Sequence, residues 1–353
     1  MAGASGRIKL ERYKESAVIL NPLLNFDSDT HDIEVRRDPL LGSKSLIGLR
    51  LVEKYETLVG YTDYEFLDKL VRESSEKCFF CPDKVLTSTP KFEKDIIPEG
   101  RISIGESTLV PNLFPLSKDH AIIVPSKKHF LKPNEFTPEI LNDAFVSTQK
   151  FISYLPTDET LYGSLNSNYM PPAGASAVHP HLQLIISSDS LNYAAKIQDA
   201  VAAYNKKHGH EYWEDLIEVE IELDERYIGS TGSIHWLTPF SPSKTNEVWG
   251  ILPSGRFMDK SGSIIMDLAK GVSKVLAYYG DEDYSSFNLA LELGDLTGDE
   301  STSRCFIRLV TRQNFSPGYR AGEHFFQHLL DTEVVVIPPE IVAGKLRNRF
   351  RGA

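Results

Sequence analysis

The sequence predicts an α+β fold made of two copies of one unit, and three observations carry the prediction. The chain has 353 residues, more than twice the length of a typical domain. Short strand-like runs alternate with three segments of helical periodicity. The element order also repeats. Asn112-Leu-Phe-Pro-Leu-Ser117, Ile-Ile-Val-Pro125, a helix from Thr137 and a strand after His181 are matched downstream. The counterparts are Thr238-Pro-Phe-Ser-Pro-Ser243, Gly-Ile-Leu-Pro253, a helix from Ser263 and a strand from Cys305 to Val310. A duplicated strand, strand, helix, strand unit, joined around residues 205–215, is the economical reading and divides the chain into 1–207 and 208–353. The alternative is an α+β chain whose order repeats by chance.

The helices have explicit signals. Thr137-Pro138-Glu139 supplies an N-cap hydroxyl and a proline at the first helical position, ahead of Ile140, Leu141, Ala144, Phe145, Ile152 and Leu155 at helical spacing. A second helix is expected over Asn192–Lys207, with Gly209 just beyond its end. The third carries Ile265, Leu268, Val272, Val275, Leu276 and Tyr279 on one face and meets Gly280 as a C-cap. Strands are expected over Ala121–Val124, Leu182–Ile186, Glu218–Leu223, Val248–Leu252, Phe287–Leu293 and Phe306–Val310.

Composition narrows the partners. The net charge of −11 gives no surface suited to wrapping nucleic acid or lying on anionic lipid, so phosphate recognition has to be local. No apolar run approaches the roughly 18 residues a membrane span needs, and Met1-Ala-Gly-Ala-Ser-Gly-Arg-Ile-Lys lacks a signal-peptide core. A cytoplasmic protein is expected. Three cysteines, Cys78, Cys81 and Cys305, do not make a disulfide framework.

The chemistry concentrates in Ala173-Gly-Ala-Ser-Ala-Val-His179-Pro-His181-Leu-Gln183. If Val178 begins a strand, a period of two sets His179, His181 and Gln183 on one face and Leu182, Leu184 and Ile186 on the other. Pro180 then places the histidines near the strand's start, at the mouth of the sheet. Gly174, Ala175 and Ser176 permit close approach of a ligand, with loop N–H groups and the Ser176 hydroxyl available to phosphate oxygens. A His-x-His pair alone is equally a surface or core feature; the glutamine and the Gly-Ala-Ser lead favour a site. Cys78-Phe-Phe-Cys81 offers two soft ligands for a tetrahedral zinc, completed from His120, His129, His179 and His181. A thioredoxin-type redox pair is the alternative, but its helix start and βαβ context are missing.

These residues resemble the galactose-1-phosphate uridylyltransferase family, a branch of the histidine-triad superfamily that includes nucleotide-sugar phosphorylases. Glu34-Val-Arg-Arg-Asp-Pro-Leu-Leu-Gly42, Cys78-x-x-Cys81, Asn112-Leu-Phe-Pro115 and His179-Pro-His-Leu-Gln183 carry the likeness, which runs over most of the chain. The resemblance implies two tandem histidine-triad units, each an antiparallel sheet with packed helices. It makes His181 the nucleophile and Gln183 the partner that steadies a nucleotidyl intermediate. Asn112 is implied at the nucleoside, and Asn168 and Ser176, with Gly174 and Ala175, at the phosphates. Cys78, Cys81, His129 and His179 become ligands of a structural zinc.

The implied reaction moves a nucleoside monophosphate from a nucleotide sugar, UDP-glucose for preference, to a hexose 1-phosphate. A glutamine at 183 cannot shuttle a proton but can donate to phosphate, which favours transfer over hydrolysis. A phosphorylase acting on an ADP-sugar or dinucleoside polyphosphate and a non-catalytic nucleotide-binding protein are the alternatives. The implied partners are a nucleotide sugar and a sugar phosphate, with room for a homodimer. Three departures bear on substrate. Ser45-Leu-Ile-Gly-Leu-Arg-Leu-Val52 lacks the family's Ser-Pro-x-Arg, leaving Arg50 as the substitute. Arg304-Cys-Phe-Ile-Arg-Leu-Val310 replaces a histidine-rich stretch, which argues against a second metal. His324-Phe-Phe-Gln327 puts an amide, Gln327, where the family's acidic hexose contact is expected.

Overall fold

Ten strands join one continuous antiparallel sheet, and the order in which they join carries the duplication. The computed structural model describes residues 4–351 except 49, 55–58, 157, 299–303, 320–322 and 324. In chain order the first strands are β1 (Arg12–Asn21), β2 (Asp27–Arg37), β3 (Lys44–Gly48), β4 (Ile102–Ile104), β5 (Ser107–Pro111), β6 (Asp119–Val124), β7 (Tyr162–Tyr169) and β8 (Leu182–Ser187). They are followed by β9 (Tyr227–Thr231), β10 (Ile234–Leu237), β11 (Val248–Ser254), β12 (Phe287–Asp295), β13 (Arg304–Thr311) and β14 (Thr332–Val335).

The large sheet is ordered β4-β5-β6-β8-β7-β12-β13-β11-β10-β9. Read inward from either edge, the chain order is the same, so β7 and β12 meet at a pseudo-two-fold axis where Leu165 pairs with Leu291. The two antiparallel units expected from the sequence thus fuse edge to edge. A second sheet, β1-β2-β3-β14, closes with the parallel pair β3–β14 and has no counterpart in the sequence reading.

Period-two alternation divides the large sheet's faces. Leu165, Tyr169, Leu184, Ile186, Leu289 and Leu291 enter the main core. Helices α1 (Pro138–Ile152) and α2 (Gly262–Asp281) cover that face and pack on each other. Thr137 Oγ1 accepts from Ile140 N and Ser261 Oγ from Ile264 N, so both starts are side-chain capped. Asn166, Asn168, Gln183 and Asn288 occupy the other, half-exposed face.

Three sequence expectations need correction. Glu218–Leu223 is no strand but the last half of a helix, Tyr212–Leu223. Its Glu-Val-Glu-Ile-Glu-Leu alternation mimics a strand, yet Tyr212, Trp213, Leu216, Ile217 and Val219 are buried at helical spacing, and Glu220 is buried against Arg226, 3.1 Å away. Gly280 is not a C-cap, because the helix runs on to Asp281. A Cβ at 280 would stand 2.8 Å from Asn134 N, so close packing requires the glycine. Finally, β8 begins at Leu182: His179 lies in a bend ahead of it, and His181 precedes the strand unpaired.

Candidate active site and metal centre

Cys78, Cys81, His129 and His179 converge from three parts of the chain, each offering one ligand atom, with all four atoms within 4.8 Å of one another. Cys81 Sγ lies 3.5 Å from His129 Nδ1 and 3.8 Å from His179 Nδ1, and Cys78 Sγ lies 3.6 Å from His179 Nδ1. Around a tetrahedral zinc with ordinary Zn–S and Zn–N bonds, sulfur and nitrogen ligands stand about 3.6 Å apart. The donor set therefore fits a metal such as zinc. The outward ring nitrogens are also committed. His179 Nε2 is 2.9 Å from the Ser126 carbonyl and His129 Nε2 is 2.9 Å from Ser74 Oγ, which directs both Nδ1 lone pairs inward. Burial holds the pKa of His179 down at about 4, keeping its ring neutral. Burial and the adjacent Cys78 push the Cys81 thiol up to about 11, a shift a bound cation would reverse.

Two residues beyond His179, the chain presents His181, which is buried. Its Nδ1 is 3.0 Å from the carbonyl of His179. A carbonyl only accepts, so Nδ1 carries the proton and Nε2 keeps its lone pair. Ser167 Oγ donates to the His181 carbonyl at 3.0 Å, and the Phe80 ring lies against the imidazole at 5.4 Å between centroids. Burial lowers the His181 pKa, so the ring is neutral near pH 7.

Gln183 sits beside Asn166 across the β7–β8 pair, and its Oε1 is 3.2 Å from His120 Nε2. Asn112 Nδ2 lies 3.0 Å from the same ring nitrogen, beside the exposed side chains of Leu113, Phe114 and Leu116. His120 is thus not a metal-cluster residue but lies against two of the candidate site residues, Gln183 and Asn112. Asn168 Oδ1 accepts from Asn288 Nδ2 at 2.8 Å, and Asn288 also donates to the Ala173 carbonyl at 3.0 Å. Gly174 has φ +86°, and a Cβ there would stand 3.7 Å from the Asn168 amide nitrogen. Asn166, Asn168, Gly174 and Asn288 line a cavity of about 630 Å³ that Lys244, Arg308, Arg312 and Glu323 also border. Ala175 N–H bonds to the Met170 carbonyl at 3.2 Å, and Ser176 is exposed at the turn before His179.

The other expectations fall elsewhere. Arg50 is held by Asp29 at 2.8 Å. Gln327 donates to Glu333 at 2.9 Å in a second cavity, which shares Lys244 and Arg308 with the first; His324 lies outside the described residues. In the second unit Phe306 takes the place of Gln183 under the pseudo-two-fold, and Arg304, paired with Glu211 at 3.0 Å, takes that of His181. Sequence reasoning missed Asn288, His120 as a site residue, and Ser74 and Ser126 behind the cluster.

No protein-family model matches the chain. An uncharacterized protein of Archaeoglobus fulgidus is 29% identical over 337 residues, 95% of this chain and 98% of that protein. An ADP-glucose phosphorylase from Arabidopsis thaliana, solved with bound ADP-glucose, superposes with a TM-score of 0.67 at 16% identity, over 89% of this chain and 98% of that one. A uridylyltransferase structure superposes with a TM-score of 0.64 at 14% identity, over 90% and 98%. The chain has the uridylyltransferase fold. A galactose-1-phosphate-uridylyltransferase-like protein from Arabidopsis thaliana, at a TM-score of 0.66 and 16% identity over 89% and 98%, shares it. Within that fold, the first unit of this chain carries His179 and His181, and the second has Arg304 at the position matching His181. Among the described residues no helix is long and apolar enough to cross a membrane.

Proposed function

We propose that the protein transfers a nucleoside monophosphate from a nucleotide sugar to a phosphate-bearing acceptor through a covalent intermediate on His181. The observation that carries this reading is the hydrogen bond from His181 Nδ1–H to the His179 carbonyl, which leaves the Nε2 lone pair as a nucleophile. Nε2 attacks the α-phosphorus, a P–N bond forms, and the P–O bond to the sugar phosphate breaks. The imidazole retains its Nδ1 proton and becomes cationic in the intermediate; the His179 carbonyl then faces an imidazolium and strengthens its bond. An oxygen of the acceptor phosphate displaces Nε2 and restores the neutral ring. The leaving group is already a phosphate, so no general acid is required.

The Gln183 amide and the Asn168 amide donate to the nucleotidyl phosphate, Ser176 and the turn through Gly174 and Ala175 approach it, and Asn112 with Phe114 borders the nucleoside. Gln327, in the adjoining cavity, takes the sugar end. Cys78, Cys81, His129 and His179 would hold a structural zinc, since four protein ligands would leave it no open position. It would supply rigidity at His179 and hence at the carbonyl that orients His181.

UDP-glucose with a hexose 1-phosphate is the favoured substrate pair. A second reading, phosphorolysis of an ADP-sugar by inorganic phosphate, gains support from the fold's likeness to the ADP-glucose phosphorylase. Phosphorus NMR with a panel of nucleotide sugars, each with a hexose 1-phosphate or inorganic phosphate, separates the two. Exchange with the hexose phosphate supports uridylyl transfer, and nucleoside diphosphate released only with phosphate supports phosphorolysis. Nucleotide binding that survives His181→Ala, with no turnover in either protein, would assign a non-catalytic role.

A further inference from the structure

We propose that His120 is a positioning residue that decides which end of the Gln183 side chain faces the transferred phosphoryl group; the proposal rests on the nucleotidyl-transfer reading above. The deciding contact is remote from the ligand. The backbone N–H of Leu116 donates to His120 Nδ1 at 3.0 Å, so Nδ1 must present a lone pair. In a neutral imidazole the proton then sits on Nε2. Burial keeps the ring neutral, since His120 is 3% exposed and its pKa is lowered accordingly.

Nε2–H points at Gln183 Oε1, 3.2 Å away. Once its oxygen is so engaged, Gln183 has only its NH2 group to offer the site. Reversed, the amide would turn its oxygen toward the phosphate oxygens, and an attraction would become a repulsion. The tautomer is set by the turn that folds over the ring. Asn112 Oδ1 accepts from Phe114 N at 2.9 Å, and Asn112 N donates to the His120 carbonyl at 2.8 Å, which places Leu116 N–H on Nδ1. Asn112 Nδ2, at 3.0 and 3.5 Å from the two ring nitrogens, lies across the imidazole rather than on either lone pair.

The test compares the full-length, zinc-loaded wild type with two variants. His120→Phe keeps a ring and removes the donor; His120→Gln returns an amide N–H near the position of Nε2. The readout is the rate of label transfer from α-labelled nucleotide sugar to the protein, measured over a range of nucleotide-sugar concentrations. His120→Phe is expected to slow labelling at saturation by about 10- to 100-fold with KM little changed, and His120→Gln to recover most of it. Nitrogen NMR of histidine-labelled wild type should show His120 as the Nε2–H tautomer, a readout independent of turnover.

Labelling by His120→Phe at the wild-type rate would overturn the proposal alone, as would an Nδ1–H tautomer. Equal losses in both folded variants would reduce His120 to a structural role and overturn it too. A wild type that takes no label from any nucleotide sugar would instead overturn the transfer reading, and the positioning role of His120 with it.

Discussion

His181 is tied to His179 through the backbone: its Nδ1–H donates to the His179 carbonyl at 3.0 Å, while the His179 ring turns away into a cluster with Cys78 and Cys81. One short segment therefore anchors in the candidate metal centre and aims the candidate nucleophile. Disturbing the first should misdirect the second.

Metal analysis should accordingly find about one zinc per chain. Cys78→Ser should lose it, melt at lower temperature and lose activity together, because metal affinity and folding free energy are linked. Full activity and unchanged melting in a metal-free preparation would detach the cluster from the site.

Thiol chemistry separates the three cysteines. Cys305 is fully buried, and burial pushes its thiol up to about 12. With metal bound, an aromatic disulfide reagent at pH 8 should find no fast-reacting thiol. Chelation should expose two, Cys78 and Cys81, and only denaturant should release the third. A native Cys305 that reacts before chelation would mean that its core is open.

Asn288 orients Asn168 much as His120 orients Gln183, by occupying the amide oxygen and leaving the nitrogen free. Asn288→Ala should reduce kcat/KM by roughly 5- to 30-fold, the size of about one lost polar interaction, with little loss of stability. Unchanged kinetics would remove Asn168 from the phosphate site.

Glu247 supplies a pH prediction. It is buried, which by itself would raise its pKa, but Arg308 at 2.8 Å, Trp249 Nε1 at 2.7 Å and Ser243 N at 2.6 Å outweigh burial and hold it below the ordinary carboxyl value. A group whose folded pKa is depressed stabilises the fold above its unfolded pKa, near 4.5, and that stability is lost as pH falls through the folded pKa. Glu247→Gln should cost about 1–3 kcal/mol at pH 7 by taking the carboxylate from half-buried Arg308, and should flatten the acid limb of the stability profile. Urea titrations at pH 7 and pH 4 measure both effects; parallel wild-type and variant profiles would contradict the assignment.

The residues that act within one segment or carry a ligand-type spacing were legible in the sequence. The Cys78-x-x-Cys81 spacing pointed to a cluster with four candidate histidines, which the family resemblance narrowed to His129 and His179, and the strand and helix order pointed to duplication. What was not legible depends on register. His120 reaches Gln183 only because β6 pairs with β8 so that Ile122 faces Gln183 and His120 lies diagonally beside it. Asn288 meets Asn168 only because β12 lies against β7 across the pseudo-two-fold, some 120 residues away in sequence. The misread Glu218–Leu223 shows the reverse limit. Its alternation is that of a strand until Arg226, beyond the segment, gives Glu220 a reason to be buried.

A phosphorus–nitrogen bond on His181 Nε2 is open to direct trapping. Wild-type protein should be incubated with α-labelled UDP-glucose or ADP-glucose and no acceptor, quenched in base, digested and sequenced by mass spectrometry. Acid-labile nucleotidyl label on the peptide containing His181, absent in folded His181→Ala and discharged by added hexose 1-phosphate or phosphate, is the predicted result. A wild type that turns over nucleotide sugar without ever carrying label, or carries it on another residue, would contradict the account.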